Sequence, residues 1–170
     1  MTKLFQQREG NPFHISVGAV PVSAEGKILV HKRTKGNTPP RFEPKLGGLD
    51  EAYVLMHESL ENGEALEDAV ARGLKEEFGV TGVVKRYLGS LQFLHTWKEH
   101  AFEKTILYFE AGVTAQGERP MDDDESYTEL VWMEPAALLE QMRKQGASSD
   151  RPDIAEAKVI EAYLNYGKDS

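Results

Sequence analysis

The sequence predicts an α/β fold in which helices cover both faces of a mixed β-sheet, an α/β/α sandwich. Runs of β-forming residues separated by turn signals indicate the sheet. Three segments with helical periodicity or helix-start signals indicate the flanking layers. At 170 residues the chain is long enough to bury a sizeable core, and we expect a single domain over residues 1–170.

The first third of the chain predicts a β-hairpin followed by a loop. Residues 14–22 and 27–33 are apolar runs joined by the turn signal Glu25-Gly26. Residues 34–45 contain one glycine and three prolines, which favour a loop. Residues 49–61 lack a clear pattern, and we interpret them as an insertion or an extended lead-in to the helix that follows.

The remaining segments complete a mixed order of strands and helices. Runs rich in β-formers predict four strands, at residues 83–87, 90–94, 104–113 and 128–133. Pro135 at an early helical position predicts a helix running to about residue 145. A terminal helix is predicted over residues 151–167, and the polar residues 1–12 are interpreted as an N-terminal arm.

Composition excludes several classes of function. The formal net charge of −8 argues against a general nucleic-acid-binding surface. The absence of cysteine excludes disulfides, thiolate zinc sites and a cysteine nucleophile, and the five histidines show no zinc-like spacing. With no signal peptide and no apolar run long enough to span a membrane, we expect a cytoplasmic protein. Composition leaves open whether the protein is a monomer or a homodimer.

The most informative segment is a predicted helix over residues 66–78. Its apolar positions form one stripe, made of Leu66, Ala69, Val70, Gly73 and Leu74. Glu77 falls in the middle of that stripe and Glu76 at its edge. Because burying an unpaired charge costs several kcal/mol or shifts its pKa, such acids call for a cation or a metal ion. The alternative is a solvated Lys-Glu-Glu run on a surface helix.

The segment 58–80 resembles the Nudix box, the loop–helix–loop signature of the Nudix hydrolases. The family pattern is Gly, five residues, Glu, seven residues, Arg-Glu, an aliphatic, any residue, Glu-Glu, any residue, Gly, an aliphatic. All but two of the defined positions match. The matching residues are Glu64, Arg72, Leu74, Glu76, Glu77, Gly79 and Val80. The first Gly of the pattern is Glu58 here, and the Glu after the Arg is Gly73. The resemblance implies a Nudix-like α/β/α sandwich around a mixed sheet.

The resemblance also implies a metal site and its support. Glu76 and Glu77 would hold Mg²⁺ or Mn²⁺ through oxygen ligands. Arg72 would pair with Glu64 and orient the metal carboxylates. Gly79 fits a left-handed C-cap at the end of the helix.

An acidic loop over residues 117–125 offers a further ligand or base, because Nudix enzymes often bring a glutamate from this region. Glu125 is the candidate, with Asp124 second. Glu129 is a third candidate, although strand alternation leaves the direction of its side chain open. A solvated acidic loop is the alternative for each of these residues.

The Gly73 departure keeps two functions open. The missing carboxylate indicates a relocated base, a reduced metal count or lost hydrolysis, unless a neighbouring group simply packs against the glycine. The retained box residues, Glu64, Arg72, Glu76 and Glu77, favour a metal-dependent hydrolase of a nucleoside diphosphate linked to another moiety, which is our expectation. The alternative is a catalytically weak or inactive Nudix-fold module that binds or senses a nucleotide. A structural partner protein is a third interpretation, supported only by residues 49–61 and the terminal segment.

Substrate contacts are weaker candidates. Basic residues near the second strand and the loop after it could meet a diphosphate, and they are Lys32, Arg33, Arg41 and Lys45. Three aromatic residues could stack on a base, and they are Phe42, Tyr53 and Trp97. His57 could carry a proton, since the pKa of histidine lies near neutrality. The alternatives are that the basic residues are simply solvated, that the aromatic residues pack in the core, and that His57 is an ordinary loop histidine.

Overall fold

A seven-stranded mixed β-sheet forms the middle of the structure, a computed structural model that describes residues 13–97, 99–122, 126–166 and 168. Its strands are β1 Phe13–Val22, β2 Ile28–Thr34, β3 Glu51–Val54, β4 Met56–Ser59, β5 Val80–Trp97, β6 His100–Gln116 and β7 Glu129–Met133. The helices are α1 Leu66–Gly73, α2 Pro135–Ser148 and α3 Ala157–Asn165. Nowhere in these described ranges is a helix both long and apolar enough to cross a membrane.

Strand β1 holds the sheet together. The main path of the sheet is β3-β2-β1-β6-β5, while β4 pairs with β1 and β7 pairs with β2. The β1–β6 pair is parallel, and the other pairs are antiparallel. In the β1–β4 pair, Val17 lies opposite Glu58 and Gly18 opposite His57. This register brings residues 56–59 beside the middle of the sheet.

The two faces of the sheet carry separate cores, because successive strand residues point to opposite sides. On one face the strands pack against α1 and the turn after it, in a core that includes Val17, Leu29, Met56, Val70, Leu74 and Phe78. On the other face they pack against α2 and α3, in a core that includes Val20, Val30, Leu55, Leu138, Met142 and Ile160. The α/β/α sandwich predicted from the sequence is thereby confirmed.

The interpretation of residues 49–61 as an insertion or an extended lead-in is wrong, since most of this stretch forms the sheet strands β3 and β4. Each strand has four residues, too short for a clear alternating pattern. Between them Val54, Leu55 and Met56 are all buried, because the chain crosses from the side of β2 to the side of β1 at this point. Three consecutive buried residues conceal the two-residue period of a strand.

The two strands predicted at residues 83–87 and 90–94 are one continuous strand, β5. Irregularities in its pairing with β6 occur at three places, the last between Tyr87 and Gly89. Gly89 has a φ of 136°, which lets the strand continue where other residues would be strained. The gap between the two predicted runs is thus a bulge within one strand.

The terminal segment also differs from its prediction. The helix expected over residues 151–167 is divided into a 3₁₀ turn, Pro152–Ile154, and helix α3, which begins at Ala157. Glu156 lies between them and is fully buried. Helical periodicity does not predict a buried glutamate, so the interruption of the helix at this residue was not visible in the sequence. The arm predicted at residues 1–12 and residue 167 lie outside the described residues.

Candidate metal and active site

Helix α1 does not continue regularly to residue 78 as predicted. It passes after Gly73 into a π-helical turn, Leu74–Phe78, which ends at Gly79. Gly79 has a φ of 67°, and a Cβ added there would lie 2.5 Å from the backbone oxygen of Glu118. The predicted left-handed cap is therefore present, and both conformation and close packing require glycine. Turns of the π type frequently mark functional sites in helices.

Arg72 and Glu64 form the ion pair that the box predicts. The Nε and Nη2 atoms of Arg72 donate hydrogen bonds of 2.9 Å to the two carboxylate oxygens of Glu64. Nη2 also donates to the backbone oxygen of Ser59 at 2.8 Å. Hydrogen bonds from Arg72 lower the pKa of Glu64 to about 2. Such a two-point contact fixes the guanidinium in one orientation.

The remaining nitrogen of Arg72 brings two more carboxylates together. Its Nη1 atom lies 3.1 Å from a carboxylate oxygen of Glu58 and 3.5 Å from one of Glu76. The side chain of Glu58 is 18% exposed, whereas that of Glu76 is 57% exposed. Burial raises the pKa of Glu58, against the lowering effect of Arg72, and the charges of Glu77 and Glu76 raise it further.

Glu77 points from the π-helical turn towards the sheet. Its side chain is 20% exposed, and Oε2 lies 2.9 Å from Nε2 of His31 on β2. Burial raises the pKa of Glu77 to about 7, although electrostatic interactions with His57, Arg33 and Arg119 oppose the shift. A carboxylate whose charged form is poorly solvated is the type of group that a bound metal ion stabilises.

The partners of His31 determine which of its ring nitrogens carries the proton. Arg119 Nη2 lies 3.2 Å from Nδ1 of His31, and a guanidinium can only donate. Nδ1 therefore accepts, and Nε2 donates its proton to Glu77. Burial lowers the pKa of His31 well below its usual value, so the ring is neutral. Arg119 Nε also donates to the backbone oxygen of Glu77 at 2.9 Å.

His31 and Arg119 were missed in the sequence. A histidine after three apolar residues in a strand carries no signal of its partner, which lies 46 positions away. The available clue was the spacing of two positions between Leu29 and His31, which places both side chains on the same face of β2. Linking that face to Glu77 required the packing of α1 on the sheet.

The basic candidates of β2 point to opposite sides. Arg33 lies on the same face as His31, and its charge acts on Glu77. Lys32 faces the other way, with Nζ 3.5 Å from Glu51. Glu129 is exposed and lies opposite Lys32 in the β2–β7 pair, so it points away from Glu77. Strand direction thus removes Glu129 and Lys32 from this site and leaves Arg33 in it.

The other aromatic and basic candidates form separate contacts. The ring of Phe42 stacks on Tyr127 with centroids 4.9 Å apart, and the cations of Arg41 and Lys45 lie over Phe42 at 4.7 and 4.8 Å. Tyr53 donates its hydroxyl hydrogen to Glu51 at 2.9 Å. The candidates Glu125 and Asp124, and the side chain of Trp97, lie outside the described residues.

His57 belongs to the opposite face of the sheet. Its Nε2 lies 2.7 Å from Oε2 of Glu156 and 2.9 Å from the hydroxyl of Tyr108. Glu156 also accepts hydrogen bonds from the Tyr108 hydroxyl at 2.7 Å and from the backbone N–H of Leu55 at 2.9 Å. We call these four residues the Glu156 network. It ties β4, β6 and the start of α3 together.

The donor atoms on the α1 face suit a hard divalent cation. Glu58, Glu76 and Glu77 offer carboxylate oxygens, which are the ligands that Mg²⁺ and Mn²⁺ take in proteins. Within the described parts of the chain, these side chains are not already arranged as a cage of three or more ligands. The chemistry of the donors fits the metal. In their present arrangement Glu58 and Glu76 pair with Arg72, and Glu77 pairs with His31.

Comparison with known proteins identifies the family. A model of the NUDIX domain matches residues 12–155, and the chain therefore belongs to the Nudix family. A comparison with curated proteins found no match.

Solved structures with the same fold agree with that assignment. A MutT protein from Methanosarcina mazei Go1 superimposes with a TM-score of 0.62 at 19% identity, covering 95% of this chain and 99% of that one. A NUDIX hydrolase from Nitrosomonas europaea gives 0.60 at 19% identity, covering 91% and 89%. The E. coli ORF135 protein gives 0.51 at 18% identity, covering 91% and 90%. At identities this low, the superpositions show a shared fold and nothing more specific.

Proposed function

We propose that this protein is a metal-dependent Nudix-type hydrolase of a nucleoside diphosphate linked to another moiety. The observation that carries the proposal is the convergence of Arg72 with three carboxylates at box positions: Glu58, Glu64 and Glu76. Glu77 lies next to Glu76 in the same turn, with its pKa raised by burial. A small-molecule substrate and a cytoplasmic location belong to the same proposal.

Each residue of the site has a separate task in this proposal. Glu76 and Glu77 hold Mg²⁺ or Mn²⁺, which when bound neutralises diphosphate oxygens and makes water more acidic. Arg72 positions Glu76 while Glu64 holds Arg72 in place. The Nε2–H group of His31 fixes the carboxylate of Glu77. Arg33, on the same face, is the proposed contact for a substrate phosphate, and Glu125 is proposed as a further ligand or base.

A nucleotide-binding module without turnover is the second candidate. The observation that favours it is Gly73, which lacks the carboxylate that the family places there. Such a module would use the same carboxylates to bind a metal–nucleotide complex and would release it unchanged.

The deciding experiment is a screen of nucleoside diphosphate derivatives with Mg²⁺ or Mn²⁺, read out as product formation and as binding. Wild type should cleave at least one compound, and Glu77→Gln should abolish the cleavage. Glu67→Gln is the matched control, because Glu67 is an exposed acid in the first turn of the same helix. Binding without cleavage by wild type would favour the module. Neither binding nor cleavage of any compound would contradict both proposals.

A further inference from the structure

The two departures from the Nudix box are a reciprocal exchange. The pattern has Gly where this chain has Glu58, and it has Glu where this chain has Gly73. The number of carboxylates at the defined positions of the pattern is therefore unchanged. What differs is the element that carries one of them, which is strand β4 instead of helix α1.

The structure places the exchanged residues in contact. Met56 and Glu58 alternate with His57 along β4, so they point towards α1 while His57 points to the opposite face. A Cβ added to Gly73 would lie 2.8 Å from the Cβ of Glu58 and 2.6 Å from the sulfur of Met56. A glutamate at position 73 would therefore collide with the side chain that now occupies its space.

Close packing also explains why position 73 is glycine. Its φ of −60° and ψ of −41° are ordinary helical values, which any residue adopts. Glycine within a helix costs about 1 kcal/mol relative to alanine, so a local reason is needed. That reason is the approach of β4, whose residues 56 and 58 fill the position where a side chain would be.

The carboxylate of Glu58 reaches the charges of the box. It shares the Nη1 atom of Arg72 with Glu76, and one of its oxygens accepts a hydrogen bond of 2.9 Å from the backbone N–H of Ser59. The negative charges of Glu76 and Glu77 act on it. Glu58 therefore meets Glu76 at one nitrogen of Arg72 and lies within the electrostatic influence of both acids of the turn.

We propose that Glu58 is a metal ligand of this protein, and that it supplies from strand β4 the carboxylate that Gly73 does not supply from helix α1. The inference rests on the proposed function, because it assigns a ligand to that same site. It assigns the ligands Glu58, Glu76 and Glu77, and Arg72 is the cation that gathers two of them before metal binds. On this proposal the carboxylate that is absent at Gly73 is present at Glu58 instead.

Mn²⁺ binding, measured by the paramagnetic resonance signal of free Mn²⁺, tests the assignment without any substrate. Glu58→Gln keeps the size and a hydrogen-bond acceptor, and it should weaken Mn²⁺ binding by at least about 10-fold. Glu67→Gln should bind as wild type does. Gly73→Glu alone should lower the melting temperature, because its side chain overpacks against Glu58 and Met56.

The double variant Glu58→Gly/Gly73→Glu restores the family pattern and is the sharper test. It should recover the Mn²⁺ affinity lost in Glu58→Gln. It should recover only part of the melting temperature lost in Gly73→Glu, because the contact of position 73 with Met56 remains. Equal Mn²⁺ affinity in Glu58→Gln and wild type would overturn the assignment. So would a folded double variant that binds Mn²⁺ no better than Glu58→Gln.

The same titration distinguishes this inference from the proposed function. If Mn²⁺ binding is lost in Glu77→Gln and unchanged in Glu58→Gln, the metal site stands and the role of Glu58 is wrong. If wild type binds no Mn²⁺, the proposed function and this inference are both wrong.

Discussion

Each face of the sheet contains a histidine–glutamate pair, and the two pairs have similar geometry. His31 lies 2.9 Å from Glu77 on the α1 face, and His57 lies 2.7 Å from Glu156 on the other. Their surroundings differ. Glu156 is fully buried and accepts hydrogen bonds from a histidine, a tyrosine and a backbone N–H. Glu77 is 20% exposed, beside the exposed Glu76.

The comparison shows that burial of a carboxylate does not by itself identify a functional site. A carboxylate whose oxygens are occupied by protein donors and closed off from solvent joins elements of the fold. One that remains partly open beside other acids can accept a ligand. The free energy of unfolding and metal affinity should therefore respond oppositely to changes at the two pairs.

The largest effect on stability is expected for Glu156→Ala. The change leaves the donors of Leu55, His57 and Tyr108 without their acceptor in the core, and loss of one partner from a buried pair costs about 3–5 kcal/mol. Urea unfolding should show that loss, while the folded fraction binds Mn²⁺ as wild type does. A stability near that of wild type would mean that the two faces do not differ as described.

A smaller effect on the same network is expected for Gly18→Ala. The added Cβ would lie 2.5 Å from two ring atoms of Tyr108, which would have to move from Glu156. Overpacking of this kind costs about 1–3 kcal/mol. Gly36→Ala is the control, since no atom lies within 4 Å of its added Cβ. Similar unfolding curves for both variants would show that the Tyr108 contact has no energetic weight.

Glu77→Gln should have the reverse profile. It removes a poorly solvated charge and keeps an acceptor for His31, so we expect the free energy of unfolding to change by less than about 1 kcal/mol. Mn²⁺ binding, followed by calorimetry, should be lost. A strongly destabilised variant would place Glu77 with Glu156 as a structural carboxylate.

The smallest effect is expected for Glu64, whose pair with Arg72 adds stability that depends on pH. Because Arg72 lowers the pKa of Glu64 from 4.5 to about 2, the folded protein binds this proton less readily than the unfolded chain. The pair's contribution is complete above pH 4.5 and disappears as the pH falls towards 2. The melting temperatures of wild type and Glu64→Gln should converge over that range. A constant difference down to pH 2 would show that the carboxylate charge is not responsible.

Local signals in the sequence were sufficient for much of the fold and for part of the site. The helix of the box and its cap at Gly79 follow from local residues. The pairing of Arg72 with Glu64 was predicted from the resemblance to the family pattern, and the structure contains it. Strands β3 and β4 could not be found, because each is four residues long and they meet at consecutive buried residues. The direction of Glu129 was open until its register with Lys32 was known.

The roles of Glu58 and His31 needed the three-dimensional arrangement. Glu58 and Gly73 were both recognised as departures, yet their contact depends on β4, which the sequence did not reveal. His31 meets Glu77 only because one face of β2 packs under α1. Long-range packing of this type has no local period, and composition does not express it.

The parallel pairing of β1 with β6 has a consequence for folding speed. Ten consecutive residues, Phe13 to Val22, pair with Glu103 to Gly112. The partner of β1 on this side is therefore far away in the sequence and is synthesised much later. Closing so long a loop costs entropy before its contacts are gained, and folds with such distant pairings fold slowly. During synthesis, the edge of the apolar strand β1 that faces β6 therefore stays unpaired until residues 103–112 have emerged, and unpaired strand edges favour aggregation.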